Sequence, residues 1–265
     1  MKVTVVIPAR FGSTRFPGKP LIDIFGKTMI QRVYDRVSKA TLIDDIFVAT
    51  DDNRIAEAVH GFSGKVILTS GHHQSGTDRV SEVAKNLSSD IFINVQGDEP
   101  FVSPKLIDQI ASSLISDKKI EMSSAGTEFK DVESFLLPQQ VKVICDHHGF
   151  ALYFSRWPIP FMRSLVPDLK TFSLKETLYP SLTLDQIQKS GVRKHLGIYG
   201  FRRDTLLSFA KWEPTSLEIC EGLEQLRALE HGLKIKMVST QEESISIDTP
   251  QDLERIIKNN IRENY

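Results

Sequence analysis

Cysteine is scarce in this chain. Cys145 and Cys220 are the only two, and neither sits in a CxxC pair that would hold zinc or run a redox exchange. Two separated thiols suit a reducing compartment, so the expected location is cytoplasmic. No apolar run approaches the length of a membrane span, so no membrane insertion is expected. The run after Met1-Lys2 stops at Pro8, which is too short for a secretion signal and lacks a small-residue cleavage site. Net charge is nearly nil: 33 basic and 34 acidic residues leave a formal −1. No global field then draws the chain to nucleic acid or to a lipid surface, and any basic site must be local. Also missing are internal repeats, low-complexity tracts and a recognisable linker. A chain of 265 residues can bury a full core without disulfide or metal staples.

What is present reads as alternating strands and helices. Val3–Ile7, Ile46–Ala49, Val66–Leu68 and Ile91–Val95 are short apolar runs of the kind that form fully buried strands. Between them, Met29, Ile30, Val33 and Val37 recur at helical spacing, as do Ile55, Val59 and Phe62, and then Val80, Val83, Ala84 and Leu87. Pro104 opens a further helix through Ile107, Ile110 and Leu114. This alternation predicts an α/β fold with a mainly parallel sheet. Ligands of such sheets bind beyond the carboxyl ends of the strands. Three polar segments fall at those ends, 8–20, 69–78 and 96–100, and they can converge on one crevice.

The second half changes character. Val141–Cys145 and Ala151–Phe154 flank the turn sequence Asp146-His147-His148-Gly149 and predict a hairpin. Residues 164–192 show no firm period and are expected to form a loop with one helical turn near Leu184–Ile187. His195–Phe201 and Ile235–Val238 read as strands, Leu217–Leu229 as one helix, and Pro250–Ile257 as a closing helix begun by Asp248 or Thr249. The expected organisation is a single domain, 1–265. Residues 1–127 are expected to form an α/β nucleotide-binding half, 128–240 an α+β half, and 241–265 a closing segment.

The sharpest local signal follows the first strand. Residues 1–22 contain four basic side chains and no acidic one. Arg10, Arg15 and Lys19 lie on a loop stiffened by Pro17 and carrying Gly12 and Gly18. Backbone N–H groups and fixed positive charge are what a triphosphate requires. The loop is neither a Walker A loop nor a GxGxxG fingerprint. A solvated basic turn is the plain alternative, and position after a buried strand favours the ligand. Gln96-Gly97-Asp98-Glu99-Pro100 also follows a buried strand, where a carboxylate can hold Mg²⁺ together with substrate phosphates. Asp248 precedes Thr249-Pro250, which equally suits a helix cap.

Taken in order, these motifs resemble those of the 3-deoxy-manno-octulosonate (Kdo) cytidylyltransferases. The N-terminal loop, Ser75-Gly76-Thr77-Asp78-Arg79, Asn94 to Pro100 and Asp248-Thr249-Pro250 carry the resemblance. Ala151 to Arg156, His195 to Tyr199 and Leu223 to Arg227 extend it from about residue 3 to residue 257. The resemblance implies a Rossmann-like nucleotidyltransferase fold, a homodimer, CTP and an acidic eight-carbon sugar as substrates, Mg²⁺ as cofactor, and a role in lipopolysaccharide inner-core synthesis. It also implies residue roles. Arg10, Ser13, Arg15 and Lys19 would hold the triphosphate. Ser75, Gly76 and Gln96 would contact nucleotide or sugar, and Asp98 and Asp248 would carry the metal. Arg156, His195, Tyr199, Glu224 and Gln225 would surround the sugar, with Arg156 on its carboxylate. Lys19, Arg15, Asp98 and Asp248 would act in catalysis. Two departures bear on sugar choice, including an amino-substituted analogue. Leu136-Leu137-Pro138-Gln139-Gln140 stands where the family reads Asn-Pro-Asn, and Trp157 stands where a small residue is common. Other sugar nucleotidyltransferases, a glycosyltransferase using Asp98-Glu99 and a non-catalytic nucleotide sensor are the competing classes.

Overall fold

The structure, a computed structural model, describes residues 1–12, 16–165, 182–259 and 261. Its strands are β1 (Val3–Ala9), the short pair β2 (Asp23–Ile24) and β3 (Lys27–Thr28), β4 (Asp45–Thr50), β5 (Val66–Leu68) and β6 (Ile91–Asn94). They continue as β7 (Met122–Thr127), β8 (Lys142–Cys145), β9 (Ala151–Ser155), β10 (Arg193–Arg202) and β11 (Ile235–Ser239). The main sheet runs β11-β7-β10-β6-β1-β4-β5, with β8 attached to β10 and β9 to β8. Along the principal path every pairing is parallel except the two made by β10, which is antiparallel to both β6 and β7.

Burial on both faces explains the unbroken apolar runs. Val3, Val5 and Ile7 of β1 join a core beneath helices Met29–Val37 and Pro104–Ser116. Val6 points to the other core, where helices Gly76–Asn86 and Arg203–Phe209 pack. The sheet is therefore a middle layer between helices, as expected, and the carboxyl ends of β1, β4 and β6 face one side of the molecule.

Two elements depart from the sequence reading. Strand β7 was not expected, because Met-Ser-Ser-Ala-Gly-Thr carries no β-branched run until its last residue; all six residues are nonetheless buried. Its hydroxyls are satisfied internally, Ser123 against Ser113 and Ser124 against His195 and two carbonyls of β10. The helix expected over Leu217–Leu229 is two short helices, Ser216–Glu221 and Gln225–Glu230. Gly222 separates them with φ +61°, a left-handed cap that side-chain-bearing residues adopt at a cost. Of the two residues expected to begin the closing helix, Thr249 caps Pro250–Lys258, in a capping box with Asp252. The Asp248 carboxylate is thereby left for other partners. The helix over Leu184–Ile187 is present as Leu184–Lys189; most of the surrounding loop, 166–181, lies outside the described residues.

Candidate active site

The three polar segments do meet. Pro8, Arg10, Lys19, His73 to Gly76 and Gln96 to Asp98 line a single cleft of about 310 Å³, closed on one side by Asp248. Close backbone approach shapes its floor. A Cβ on Gly97 would lie 2.8 Å from the Pro8 carbonyl oxygen, so only glycine lets the ends of β1 and β6 come together there. On the opposite wall Ser75 caps helix Gly76–Asn86 through a reciprocal box with Asp78. The positive end of an eleven-residue helix thus opens on the cleft, a good place for phosphate oxygens.

At the centre, the Lys19 ammonium donates to Asp98 at 2.7 Å and to Asp248 at 3.2 Å. Two carboxylates from positions 150 residues apart therefore converge on one cationic atom. This is the donor chemistry that Mg²⁺ takes, and the ammonium marks where positive charge is favoured, so the residues fit the ion. Among the described residues no group of three or more His, Cys, Asp or Glu could hold a metal unaided. Phosphate oxygens and water would supply the remaining ligands. Arg10 lines the same cleft from an exposed position. Ser13 and Arg15 lie outside the described residues.

A second cleft of about 800 Å³ adjoins the first and shares Asp248 with it. His195, Tyr199 and Gln225 line it, as do Glu99, Gln139, Gln140, Lys194 and Asp252. A bulge in β10 between Leu196 and Tyr199 places His195 and Tyr199 next to each other on one face, with rings 5.5 Å apart. Burial drives the His195 imidazole down to about 3, so it stays neutral, and its Nε2 sits 2.9 Å from the Ser124 hydroxyl. Burial pushes the Tyr199 phenol well above its ordinary value, and it remains a protonated donor. Gln225 is 4% exposed, and its amide nitrogen is buried without a partner. Glu224 accepts from the Thr77 hydroxyl at 2.6 Å, linking this wall to the helix that opens on the first cleft. Burial raises its carboxyl, while hydrogen bonds from Thr77 and Ser75 pull the other way. Glu99, 8% exposed, is pushed up to about 7 by burial and by Asp98 beside it.

Arg156, expected on the sugar's carboxylate, is placed elsewhere in the ligand-free structure. It lines neither cleft. Its guanidinium donates to the backbone carbonyls of Glu221 at 2.7 Å, Gly222 at 3.1 Å and Pro138 at 3.3 Å. The planar fork closes the break between the two short helices rather than awaiting a carboxylate. Sequence reading passed over Arg79, which is 3% exposed, lies 3.3 Å from Asp51 and lines the first cleft. It also passed over His73, Gln74 and Lys194. Position within matched motifs could have flagged Arg79; the other three carry no pattern of their own.

His195 makes a pH test possible. An unfolded histidine takes its proton near pH 6.5, and the folded one holds off to about 3. The unfolded state then binds the extra proton, so this contribution is complete above 6.5 and is lost as pH falls toward 3. His195→Gln should therefore soften the acid dependence of stability by about one proton, or roughly 1.4 kcal/mol per pH unit within that window. Urea unfolding between pH 7 and 4 measures it, and an unchanged slope would exclude His195 as a contributor.

A mainly parallel sheet with a helix N-terminus opening on a polar cleft, a pair of carboxylates on one cation and an adjoining polar pocket is the arrangement of a nucleotidyltransferase. A sequence profile described as cytidylyltransferase matches residues 4–235. The 3-deoxy-manno-octulosonate cytidylyltransferase of Geobacter sulfurreducens is 48% identical over 97% of this chain and 99% of its own. That of Acaryochloris marina is 43% identical over 96% and 95%. A solved CMP:2-keto-3-deoxy-manno-octonic acid synthetase complexed with CTP superposes with a TM-score of 0.85 at 36% identity, covering 98% of both chains. The chain belongs to the 3-deoxy-manno-octulosonate cytidylyltransferase family.

Proposed function

We propose that this enzyme transfers the cytidylyl group of CTP to 3-deoxy-manno-octulosonate, releasing pyrophosphate, as a cytoplasmic step toward lipopolysaccharide inner-core synthesis. The observation that carries the reading is the sharing of Asp248 between the cleft lined by Lys19 and the N-terminus of helix Gly76–Asn86 and a larger polar cleft. A nucleotide in the first and a sugar acid in the second would meet beside Asp98. The anomeric hydroxyl would attack the α-phosphorus in line, with positioning and charge neutralisation as the protein's main contributions. Lys19, Arg10 and Arg15 would hold the phosphates. The N–H groups of Ser75 and Gly76 and the amide of Gln96 would orient the nucleotide, with Ser13 on the loop. His195, Tyr199, Glu224 and Gln225 would take the sugar hydroxyls. Mg²⁺ on Asp98 and Asp248 would polarise the phosphoryl oxygens when bound.

The same reading includes a two-fold dimer. Leu152 on β9, Trp157 after it and Ile219 on helix Ser216–Glu221 are 59%, 52% and 70% exposed, an apolar surface for a second copy.

Pyrophosphate release with CTP or UTP across a panel of sugar acids tests the assignment. CTP with the Kdo acid should be turned over, and UTP at least ~10-fold more slowly, since a site that pairs with the cytosine amino group rejects a base without it. An 8-amino analogue in the panel reads the finer sugar choice. Equal use of UTP would remove the cytidylyl assignment.

A further inference from the structure

The larger cleft has a charge problem that the residues expected around the sugar do not solve. Its carboxylates are Glu99, Asp248 and Asp252, and its cations, among the described residues, are Lys194 and Arg255. A sugar acid entering this surface meets repulsion unless a cation faces it. Arg156 is committed to backbone carbonyls elsewhere. Arg255 stands on the closing helix with its side chain 62% exposed, 3.8 Å from Asp252.

Lys194 differs from both. It is half-buried on β10, and among the described residues its ammonium has no hydrogen-bond or ion-pair partner. Glu243, the strongest attractive charge near it, is itself paired with Lys130. Burial holds the ammonium below its ordinary value. A desolvated, unpaired cation is costly to keep unless an anion arrives to use it. Its place also suits the chemistry. In this substrate the carboxylate is attached to the carbon whose hydroxyl attacks phosphorus, so its counter-ion must lie close to the reacting centre. Lys194 lines the same cleft as Asp248 and as Glu99, the neighbour of Asp98 in the chain.

We infer that Lys194 is the counter-ion for the substrate's carboxylate and sets the preference of this enzyme for an acid over a neutral sugar. The inference rests on the proposed function. Its test compares the Kdo acid with its 1-carboxamide, at saturating CTP, in wild type, Lys194→Met, Lys194→Arg and Arg255→Met, with melting temperatures alongside. Wild type should prefer the acid in kcat/KM by roughly 10- to 100-fold, the worth of a hydrogen bond to a charged group. Lys194→Met should lose most of that preference with KM for CTP unchanged. Lys194→Arg and Arg255→Met should keep it. The inference is overturned if Lys194→Met keeps the preference, if Arg255→Met loses it instead, or if Lys194→Arg loses it as fully as Lys194→Met. Should wild type turn over neither compound, the proposed function falls and the counter-ion role with it. Acid preference that persists in Lys194→Met removes the counter-ion role alone.

Discussion

Replacing Asp98 or Asp248 with asparagine is expected to cut turnover by on the order of 10²-fold or more, each alone. Asparagine keeps the shape and one oxygen but loses the charge. The reason for expecting so much is convergence. Both carboxylates reach a single ammonium, at 2.7 and 3.2 Å, where the α-phosphate of a bound nucleotide would gather negative charge as pyrophosphate departs. Charge placed there helps the transition state more than the ground state. The loss should therefore fall on kcat, with circular dichroism and melting temperature close to wild type because both side chains are partly solvent-exposed, at 29% and 35%. Steady-state pyrophosphate release at saturating Mg²⁺ reads the result. A variant with near-normal kcat excludes that residue as a metal ligand.

The second large effect is expected at Lys19. Its side chain is 12% exposed, and its ammonium holds together two carboxylates that lie 79 and 229 residues further along the chain. Lys19→Met leaves those carboxylates facing each other without a cation. It also removes a donor from the phosphate cleft. A loss of about 10²- to 10³-fold in kcat/KM for CTP is expected, the range for deleting one preorganised donor to developing charge. Arginine should restore little, because a planar fork cannot occupy the place of a compact ammonium between two carboxylates. If Lys19→Met loses less than about threefold while folding normally, Lys19 holds the carboxylates and does not touch the nucleotide.

Much of this site was legible because its chemistry is local. The basic loop, the polar segment 69–78 and the turn after β6 each read from a few adjacent residues, and a parallel sheet brings such turns to one side. What stayed hidden depends on distant partners. Arg156 was assigned to the sugar because a guanidinium suits a carboxylate, and nothing nearby in sequence announces the carbonyls of Pro138, Glu221 and Gly222. The bulge that sets His195 beside Tyr199 comes from register against β7, a strand whose serines and glycine conceal it. Gly222 looked like one residue within a helix, and only its positive φ shows that the helix stops there. Lys194 carries no motif at all; its isolation among acids emerges once the loops are folded over it.

Strand β10 has a consequence for how the protein is made. It lies between β6 and β7, both of which precede it in the chain, and among the described residues it is the strand that joins them. As the polypeptide leaves the ribosome, β1, β4, β5 and β6 can assemble early, while β7 emerges with no neighbour to receive it. It must wait until Arg193–Arg202 has been synthesised before either of its edges is covered. Nascent chains that end before residue 193 should therefore carry β7 as an exposed apolar and serine-rich strip, a natural client for a holding chaperone. The late arrival of β10 and then β11 makes completion of the sheet, and of both clefts, an event of the last third of translation.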